Sequence, residues 1–225
     1  MKNLAIIPAR IGSKRIIKKN IKLFFGKPVI YYAIECAINS GLFTNVIVST
    51  DSIEIKKIAL KYNAEVPYLR EKKLSNDTTD TDTVVLDVIN YYISKNISFK
   101  YVCCIYPVTP LLGTFDLKNG LKKLIKYKGT TLFPIYESVN DIYRKININS
   151  KGIMNYKKVT NKKTYNDAGQ FYWIDVNKYI KVKKIWSKKS IPLYYTRKQL
   201  IDVNTLEDWK KLKLIFKKSN IRKIN

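Results

Sequence analysis

Residues 4–20 read LAIIPARIGSKRIIKKN, an apolar run followed by a basic loop. Its apolar run ends at Pro8 and is followed by a loop that carries five cations, one glycine and one serine. A short apolar run of this kind predicts a buried strand, and ligands of open α/β sheets bind just beyond the carboxyl ends of the strands. The composition of the loop leaves two interpretations open, a phosphate-binding loop or a solvated basic loop.

The alternation of strand and helix patterns continues outward from this stretch. Apolar runs predict strands at residues 4–7, 46–48, 64–68, 101–105, 131–134 and 170–174. Helical spacing predicts helices that begin at Pro28, after the cap Ser52, at Asp80 or Thr81, at Phe115 and at Thr205, the first of them closed by Gly41. Apolar strands that alternate with helices predict an α/β fold, in which helices cover both faces of a mostly parallel sheet.

Length and hydropathy limit the classes of protein to which this chain can belong. The 225 residues, 46% of them hydrophobic, are enough for one α/β domain, and we expect a single domain over residues 1–225. Residues 136–165 are polar, rich in Asn and Lys and without periodicity, so they could form a flexible excursion, a hairpin arm or a dimer contact. No run approaches the ~20 apolar residues of a membrane-spanning helix, and the N-terminal apolar run is too short for a signal peptide. We therefore expect a cytoplasmic protein without a membrane segment.

The formal net charge of +26 permits two interpretations. One is a nucleic-acid-binding protein. The other is a lysine-rich composition, which is favoured because only six of the 43 basic residues are arginines and the lysines are spread along the chain. Nucleic acid is therefore the minority hypothesis for a partner. A positive surface would also attract small anionic substrates.

Histidine is missing from the sequence, and the three cysteines lie in apolar stretches. The absence of histidine excludes Ser-His-Asp and Cys-His nucleophiles and most zinc sites. For Cys36, Cys103 and Cys104, buried reduced thiols are favoured over a disulfide or a zinc site, because their number is odd and no Cys-x-x-Cys spacing exists.

Several motifs together resemble one enzyme family. The stretch from Ile7 to Arg15, with Lys19 and Asn20 after it, is similar to the signature of the CMP-sugar synthetases that activate 2-keto-3-deoxy acids. Further similar stretches read VSTD at 48–51, CCIYP at 103–107, DAGQFYW at 167–173 and DVNTLEDW at 202–209. The resemblance spans residues 3 to about 212. It implies a Rossmann-like nucleotidyltransferase fold and a homodimer, with residues 136–165 as a dimerisation or sugar-side insertion.

Two stretches resemble the pseudaminic acid branch of this family more than its sialic acid branch. They are YPVTP at 106–110 and DAGQ at 167–170. The branch implies transfer of CMP from CTP to pseudaminic acid, an acidic nine-carbon sugar, with release of pyrophosphate and use of the product in flagellin glycosylation. Legionaminic acid or N-acetylneuraminic acid is an alternative acceptor. A basic nucleotide- or RNA-binding protein without catalysis is an alternative of a different class.

The resemblance also implies roles for individual residues. The implied catalytic residues are Arg10, Lys14 and Lys19. The implied nucleotide-binding residues are Ala9, Arg10, Gly12, Ser13, Lys14, Asn20, Arg70 and Thr81. The implied sugar-binding residues are Tyr106, Asp167 and Gln170. The implied ligands of Mg²⁺ or Mn²⁺ are Asp202 and Asn204.

Some of these residues have alternative roles, and the metal site differs from the usual family pattern. Arg70 could equally be a surface cation, Tyr106 could serve packing, and Asp167 could cap a turn. The family usually has Asp-x-Asp at the metal site, where this chain reads Asp202-Val203-Asn204, so one negative charge is lost. Without histidine, the proton of the attacking hydroxyl must pass to a carboxylate, a metal-bound water or a substrate oxygen.

Overall fold

The computed structural model describes residues 2–138, 147–148, 150, 152, 154–155, 164–196 and 202–224. The α-helices are α1 (Ile30–Ser40), α2 (Ile53–Lys61), α3 (Thr81–Ser94), α4 (Thr114–Lys126), α5 (Val176–Val182) and α6 (Leu206–Ile224). The strands are β1 (Asn3–Pro8), β2 (Leu23–Phe24), β3 (Lys27–Pro28), β4 (Asn45–Ser49), β5 (Tyr101–Ile105), β6 (Thr131–Glu137), β7 (Asn147–Ile148), β8 (Met154–Asn155), β9 (Tyr165–Asp167), β10 (Phe171–Asp175) and β11 (Ser190–Tyr195). Short 3₁₀ helices lie at Lys19–Ile21 and Lys72–Leu74.

A seven-stranded sheet forms the centre of the molecule. Its strand order is β11-β6-β10-β5-β1-β4, with β9 paired to β6. The strands β4, β1, β5, β6 and β11 run in one direction, whereas β10 is antiparallel to both of its neighbours and β9 is antiparallel to β6. The expectation of a mostly parallel sheet is therefore confirmed.

Helices cover both faces of this sheet, as the apolar strands predicted. Because side chains alternate along a strand, Cys103 joins a core cluster with α1, α2 and α4, whereas Cys104 joins a second cluster with α3 and α5. All three cysteines are free and buried. Gly120 of α4 allows a close approach to the sheet, since a Cβ at this position would lie 2.9 Å from Cδ1 of Trp173.

A third core cluster joins the two ends of the described chain. Ile16, from the cationic loop, is buried together with Phe24 of β2, and with Val203 and Trp209 from the C-terminal region. The aromatic rings of Phe24 and Trp209 pack edge-on with centroids 5.6 Å apart. This cluster brings the segment before α6 against the loop after β1.

Most predicted helix starts are accurate, but the first one is wrong. Pro28 lies in β3, paired with β2, and the backbone N–H of Val29 donates to Lys22 at 3.0 Å, so α1 begins only at Ile30. Gly41 closes α1 with φ of 66°, as expected of a helix-ending glycine. Asp80 caps α3, where its side chain accepts from the backbone N–H of Thr83.

The strand expected at 64–68 is also wrong. Only isolated bridges, Ile47 to Glu65 and Thr50 to Leu69, join this segment to the sheet edge. Pro67 lies between the two bridges and has no N–H to donate to a ladder, which explains why pairing stops there. Two further boundaries differ by little, because the fifth strand continues to Glu137 and the last helix begins at Leu206.

The polar segment expected at 136–165 is only partly described. It contains the end of β6, the antiparallel pair β7–β8 and the start of β9. The rest of it lies outside the described residues, so its expected role as an insertion stays a prediction. None of the helices in the described part of the chain has the length and hydrophobicity of a bilayer-spanning segment.

Candidate active site

A cavity of about 690 Å³ opens at the carboxyl ends of β1 and β5, where ligands of α/β sheets bind. Basic side chains outnumber acidic ones in its wall. The lining residues are Pro8, Arg10, Gly12, Ser13, Lys14, Arg15, Lys19, Asn20, Arg70, Leu74, Asn76, Asp77, Thr79, Asp80, Thr81, Val84, Tyr106, Pro107, Asp202 and Asn204.

Neighbouring strands and side chains fix the backbone of the cationic loop. The N–H of Ala9 donates to Ser49 O at 2.9 Å, and the N–H of Ile11 donates to Oδ1 of Asp51 at 3.2 Å. Asn20 closes the loop, because its Nδ2 donates to the carbonyl of Arg10 at 2.8 Å. Ala9 is fully buried and can offer only backbone atoms, whereas a side chain at Gly12 would meet nothing within 4 Å.

One carboxylate bridges two cations of the loop. Nη2 of Arg10 lies 2.5 Å from Oδ1 of Asp77, and Nζ of Lys14 lies 2.7 Å from Oδ2 of the same residue. Hydrogen bonds from Lys14 and then Arg10 lower the pKa of Asp77, so this group is anionic at neutral pH. Oδ1 of Asn76 accepts from the N–H groups of Thr78 and Thr79, which fixes the turn that presents Asp77. The carboxylate of Asp77 therefore occupies the position in which an anionic ligand would contact Arg10 and Lys14.

Lys19 connects the loop to the C-terminal segment. Its Nζ donates to the carbonyl of Val203 at 2.8 Å. Burial lowers the pKa of Lys19, the charge of Asp202 acts in the opposite direction, and the charges of Arg15 and Arg10 lower it further. The neighbouring Lys18 points elsewhere and pairs with Glu54 at 2.7 Å.

Arg70 is a buried cation in the cavity wall, which argues against the alternative of a plain surface residue. It is 5% exposed, and its guanidinium donates to Oγ of Ser75 at 3.0 Å and to Oγ of Ser49 at 3.4 Å. Burial lowers the pKa of Arg70, and Asp51 and Asp87 raise it. Its positive charge therefore meets mostly neutral hydroxyl partners and is available to a polar ligand.

Hydroxyl groups dominate the other end of the cavity. Oγ1 of Thr81 lies 2.7 Å from the hydroxyl of Tyr106, and the hydroxyl of Tyr172 donates to Oδ2 of Asp167 at 2.6 Å. Tyr106 and Tyr172 contact each other edge-on, with ring centroids 5.4 Å apart. Burial raises the pKa of Tyr106 to about 12 and raises the pKa of Tyr172 well above its ordinary value, so both are neutral phenols at neutral pH.

Two of the residues predicted to bind sugar lie behind this cavity rather than in its wall. Asp167 accepts from the N–H of Gly169 at 2.9 Å as well as from Tyr172. Gln170 is 4% exposed, its Nε2 donates to the carbonyl of Ala168, and its side chain lines a separate cavity of about 570 Å³ near α1 and α4. Their predicted contact with sugar stays a prediction.

The predicted metal ligands face the cavity together. Nδ2 of Asn204 donates to Oδ2 of Asp202 at 2.7 Å, and the N–H of Asn204 donates to Asp208 at 3.1 Å. A carboxylate and an amide carbonyl are hard oxygen donors that suit Mg²⁺ or Mn²⁺. In the described ranges no three His, Cys, Asp or Glu residues group as a metal site, so an ion held by Asp202 and Asn204 would need further ligands from outside these residues.

Sequence reasoning missed four residues that shape the site. Arg15 lines the cavity beside the predicted cations, and its place in the loop was a usable signal. Asp77 is far in sequence from Arg10 and Lys14, and Ile16 is an apolar residue in a basic loop. Nothing in the local pattern marks these two, whereas Tyr172 belongs to the DAGQFYW stretch that resembles the family.

Comparison with known proteins gives consistent similarities. A family model described as cytidylyltransferase matches residues 4–220. The chain is 38% identical over 225 residues to the pseudaminic acid cytidylyltransferase of Campylobacter jejuni subsp. jejuni serotype O:2, an alignment that covers 96% of this chain and 97% of that protein. It is 30% identical to the CMP-N,N'-diacetyllegionaminic acid synthase of Legionella pneumophila, over 93% of this chain and 94% of that protein.

Solved structures share the fold. A CMP:2-keto-3-deoxy-manno-octonic acid synthetase complexed with CTP superposes with a TM-score of 0.77 at 13% identity, over 97% of this chain and 100% of that one. HddC from Yersinia pseudotuberculosis superposes with a TM-score of 0.66 at 17% identity, over 96% and 100% of the two chains. At these identities the likeness concerns the fold alone.

Proposed function

The chain belongs to the cytidylyltransferase family, and we propose that it transfers CMP from CTP to pseudaminic acid, with release of pyrophosphate. Pseudaminic acid is proposed because two stretches of the sequence resemble that branch of the family and because the relative from Campylobacter jejuni bears that name. Legionaminic acid and N-acetylneuraminic acid are the alternative acceptors, the first supported by the relative from Legionella pneumophila.

The cationic loop is the observation that carries this proposal. Arg10, Lys14 and Lys19 converge on one cavity at the carboxyl end of β1, together with Arg70. A triphosphate carries several negative charges, and clustered Arg and Lys side chains with free N–H donors are the groups that bind it. Gly12 and Ser13 leave the loop backbone open to the cavity, so phosphate oxygens can approach closely.

The proposed reaction needs positioning and charge neutralisation more than covalent chemistry. The anomeric hydroxyl oxygen of the sugar forms a bond to the α-phosphorus, the bond to the bridging oxygen of the β-phosphate breaks, pyrophosphate leaves, and the hydroxyl proton is released. Arg10 and Lys14 bind the triphosphate, and Lys19 stabilises the charge that grows on the leaving group. Arg70 and Thr81 bind the cytosine ring, and Asn20 keeps the loop in the productive shape.

A divalent cation fits the donor set of the same cavity. Asp202 and Asn204 would hold Mg²⁺ or Mn²⁺, with substrate oxygens and water as the remaining ligands. The ion would neutralise phosphate charge when bound. Lys19, held against Val203, keeps this segment at the phosphate-binding loop.

The sugar would enter at the hydroxyl-rich end of the cavity, next to Tyr106. Asp167 and Gln170 are proposed to shape this end, and residues 136–165 are proposed to complete it or to form the contact of a homodimer.

A cytoplasmic location and the use of the product in flagellin glycosylation are proposed from the same family likeness. We expect no nucleic-acid partner.

Pyrophosphate release tests the proposal directly. The purified protein should release pyrophosphate only when CTP, Mg²⁺ or Mn²⁺ and pseudaminic acid are all present. Reactions with legionaminic acid and N-acetylneuraminic acid identify the preferred acceptor. Absence of turnover with all three acids, together with salt-sensitive binding of a polynucleotide, would favour the binding protein instead.

A further inference from the structure

One peptide unit of the cationic loop is held by two side chains that come from different parts of the chain. This unit joins Arg10 to Ile11. Its carbonyl oxygen accepts from Nδ2 of Asn20 at 2.8 Å, and its N–H donates to Oδ1 of Asp51 at 3.2 Å. Because the carbonyl and the N–H of a trans peptide point in opposite directions, the two side chains fix the peptide plane from both sides.

The backbone next to Asp51 is itself fixed on both sides. Thr50 is fully buried, and its carbonyl accepts from the N–H of Arg70 at 2.7 Å. Ser52 caps α2, because its Oγ accepts from the N–H of Ile55 at 3.3 Å. The carboxylate of Asp51 is therefore presented to the loop from a rigid connection between β4 and α2.

The peptide held by Asp51 directly precedes the part of the loop that faces the cavity. The N–H of Ser13 donates to the carbonyl of Ile11 at 3.0 Å, so both backbone polar groups of Ile11 have partners. Arg10, Gly12 and Ser13 line the cavity, whereas Asp51 does not. Rotation of the peptide would change ψ of Arg10 and φ of Ile11, and it would redirect the side chain and the backbone on either side.

We propose that Asp51 is a positioning residue for the triphosphate, and that its hydrogen bond to Ile11 keeps the loop in the conformation that binds the phosphates. The aspartate of the VSTD stretch at 48–51 would then act through the loop and not by contact with the ligand. Without this bond the loop must be ordered when the ligand binds, and the lost conformational entropy weakens binding. The inference rests on the proposed function, because it assumes that the loop binds the phosphates of CTP.

The charge of Asp51 predicts the opposite effect from its hydrogen bond. A carboxylate beside a site for a polyanion repels the ligand, so its removal would tighten binding of CTP if only Coulombic forces acted. That direction is the one expected for Asp77, which pairs with Arg10 and Lys14 themselves. The direction of the change in affinity therefore distinguishes a positioning residue from a competing charge.

Affinities for CTP and CMP, measured by titration calorimetry with Mg²⁺ and without sugar, test this role. In Asp51→Ala the affinity for CTP should fall on the order of tenfold, because the peptide loses one of its two partners. The affinity for CMP, which has a single phosphate, should fall at most about threefold. Asp51→Asn keeps an oxygen that accepts from Ile11, so its affinity for CTP should stay within about twofold of the wild type.

Asn20 provides an independent check, because it holds the same peptide. The loss of CTP affinity in the double variant Asp51→Ala/Asn20→Ala should be smaller than the product of the two single losses, since a peptide that already rotates has little more to lose. The control is Asp116→Ala. It removes a carboxylate that accepts from the N–H of Gly113 at 3.0 Å and does not line this cavity, so CTP affinity should not change. Melting temperatures show whether each variant is folded.

Three outcomes would overturn the inference: an unchanged or higher CTP affinity in Asp51→Ala, equal weakening of CTP and CMP binding, or an Asp51→Asn variant as weak as Asp51→Ala. Each of them leaves the proposed function standing as long as the wild-type protein releases pyrophosphate from CTP. A protein that shows the expected affinities but no turnover with any acid would sink the proposed function and support the inference.

Discussion

The two ends of the cavity are built from different interactions. At the end formed by the loop after β1, cations meet exposed carboxylates and carbonyls, and Lys14 is 83% exposed in its pair with Asp77. At the other end the interactions are short hydrogen bonds of neutral hydroxyls, between Thr81 and Tyr106 and from Tyr172 to Asp167. Coulombic attraction depends on distance and hardly on orientation, whereas a hydrogen bond depends on which atom carries the proton.

This difference indicates a division of tasks within one site. The cationic end suits any triphosphate, because its exposed pairs are weak and an incoming polyanion can replace Asp77. The hydroxyl end suits a ligand whose polar groups have fixed positions, because its hydrogen bonds are directional. Substitutions at each end of the cavity test this division of tasks.

Lys19→Ala should cause the largest loss. Removal of this half-buried cation leaves the leaving group without a charge partner, and kcat/KM with CTP should fall about 10²–10³-fold. Steady-state pyrophosphate release gives the value, and the melting temperature shows whether the fold is intact. Lys18→Ala is the matched control, since Lys18 pairs with Glu54 and does not line the cavity. Equal losses in the two variants would contradict the role given to Lys19.

Asn204→Asp should strengthen binding of the divalent cation. The substitution restores a second carboxylate beside Asp202, so the Mg²⁺ concentration for half-maximal activity should fall on the order of tenfold. Activity measured over a range of Mg²⁺ concentrations at saturating CTP gives this value. An unchanged or higher requirement would show that this segment does not bind the metal.

Asp77→Asn should improve CTP binding modestly. The amide no longer neutralises Arg10 and Lys14, so KM for CTP should fall about two- to fivefold, and the gain should shrink at high ionic strength. Glu71→Gln provides the control, because Glu71 forms a comparably exposed pair with Lys73 and does not line the cavity. A loss of kcat in Asp77→Asn would instead give Asp77 a direct part in the reaction.

The smallest expected effect concerns the dependence of kcat/KM on pH. Because burial lowers the pKa of Lys19, its charge is present below that pKa and is lost as the pH rises through it, earlier than for an exposed lysine. The alkaline limb of kcat/KM should therefore lie below the ordinary pKa of lysine. Lys19→Arg, which keeps its charge, should move this limb to higher pH. An identical limb in both proteins would assign it to another group.

Much of the fold follows from local pattern. The period of apolar residues predicted four of the six expected strands and the helices α2, α3 and α4 within a residue or so, and a fifth strand that continues three residues further, because helices and strands expose one face to the core at fixed periods. Two errors lie at prolines, and α5, β9 and β11 have no counterpart among the predicted elements. Pro28 joins a hairpin in place of a helix, and Pro67 stops a strand that its neighbours favour.

The site was predicted less completely, because it joins residues that are remote in sequence. Local patterns predict the α/β class, the cationic loop after the first strand and, by resemblance, the family. Long-range packing brings Asp77 to Arg10, the carbonyl of Val203 to Lys19, and the ring of Tyr172 to that of Tyr106. It also turned Gln170 toward a different cavity. Local periodicity determines whether a side chain faces the core or the solvent. The order of strands in the sheet determines which residues from remote parts of the sequence lie beside it. Here that order places antiparallel β10 between β5 and β6, and only long-range packing sets it.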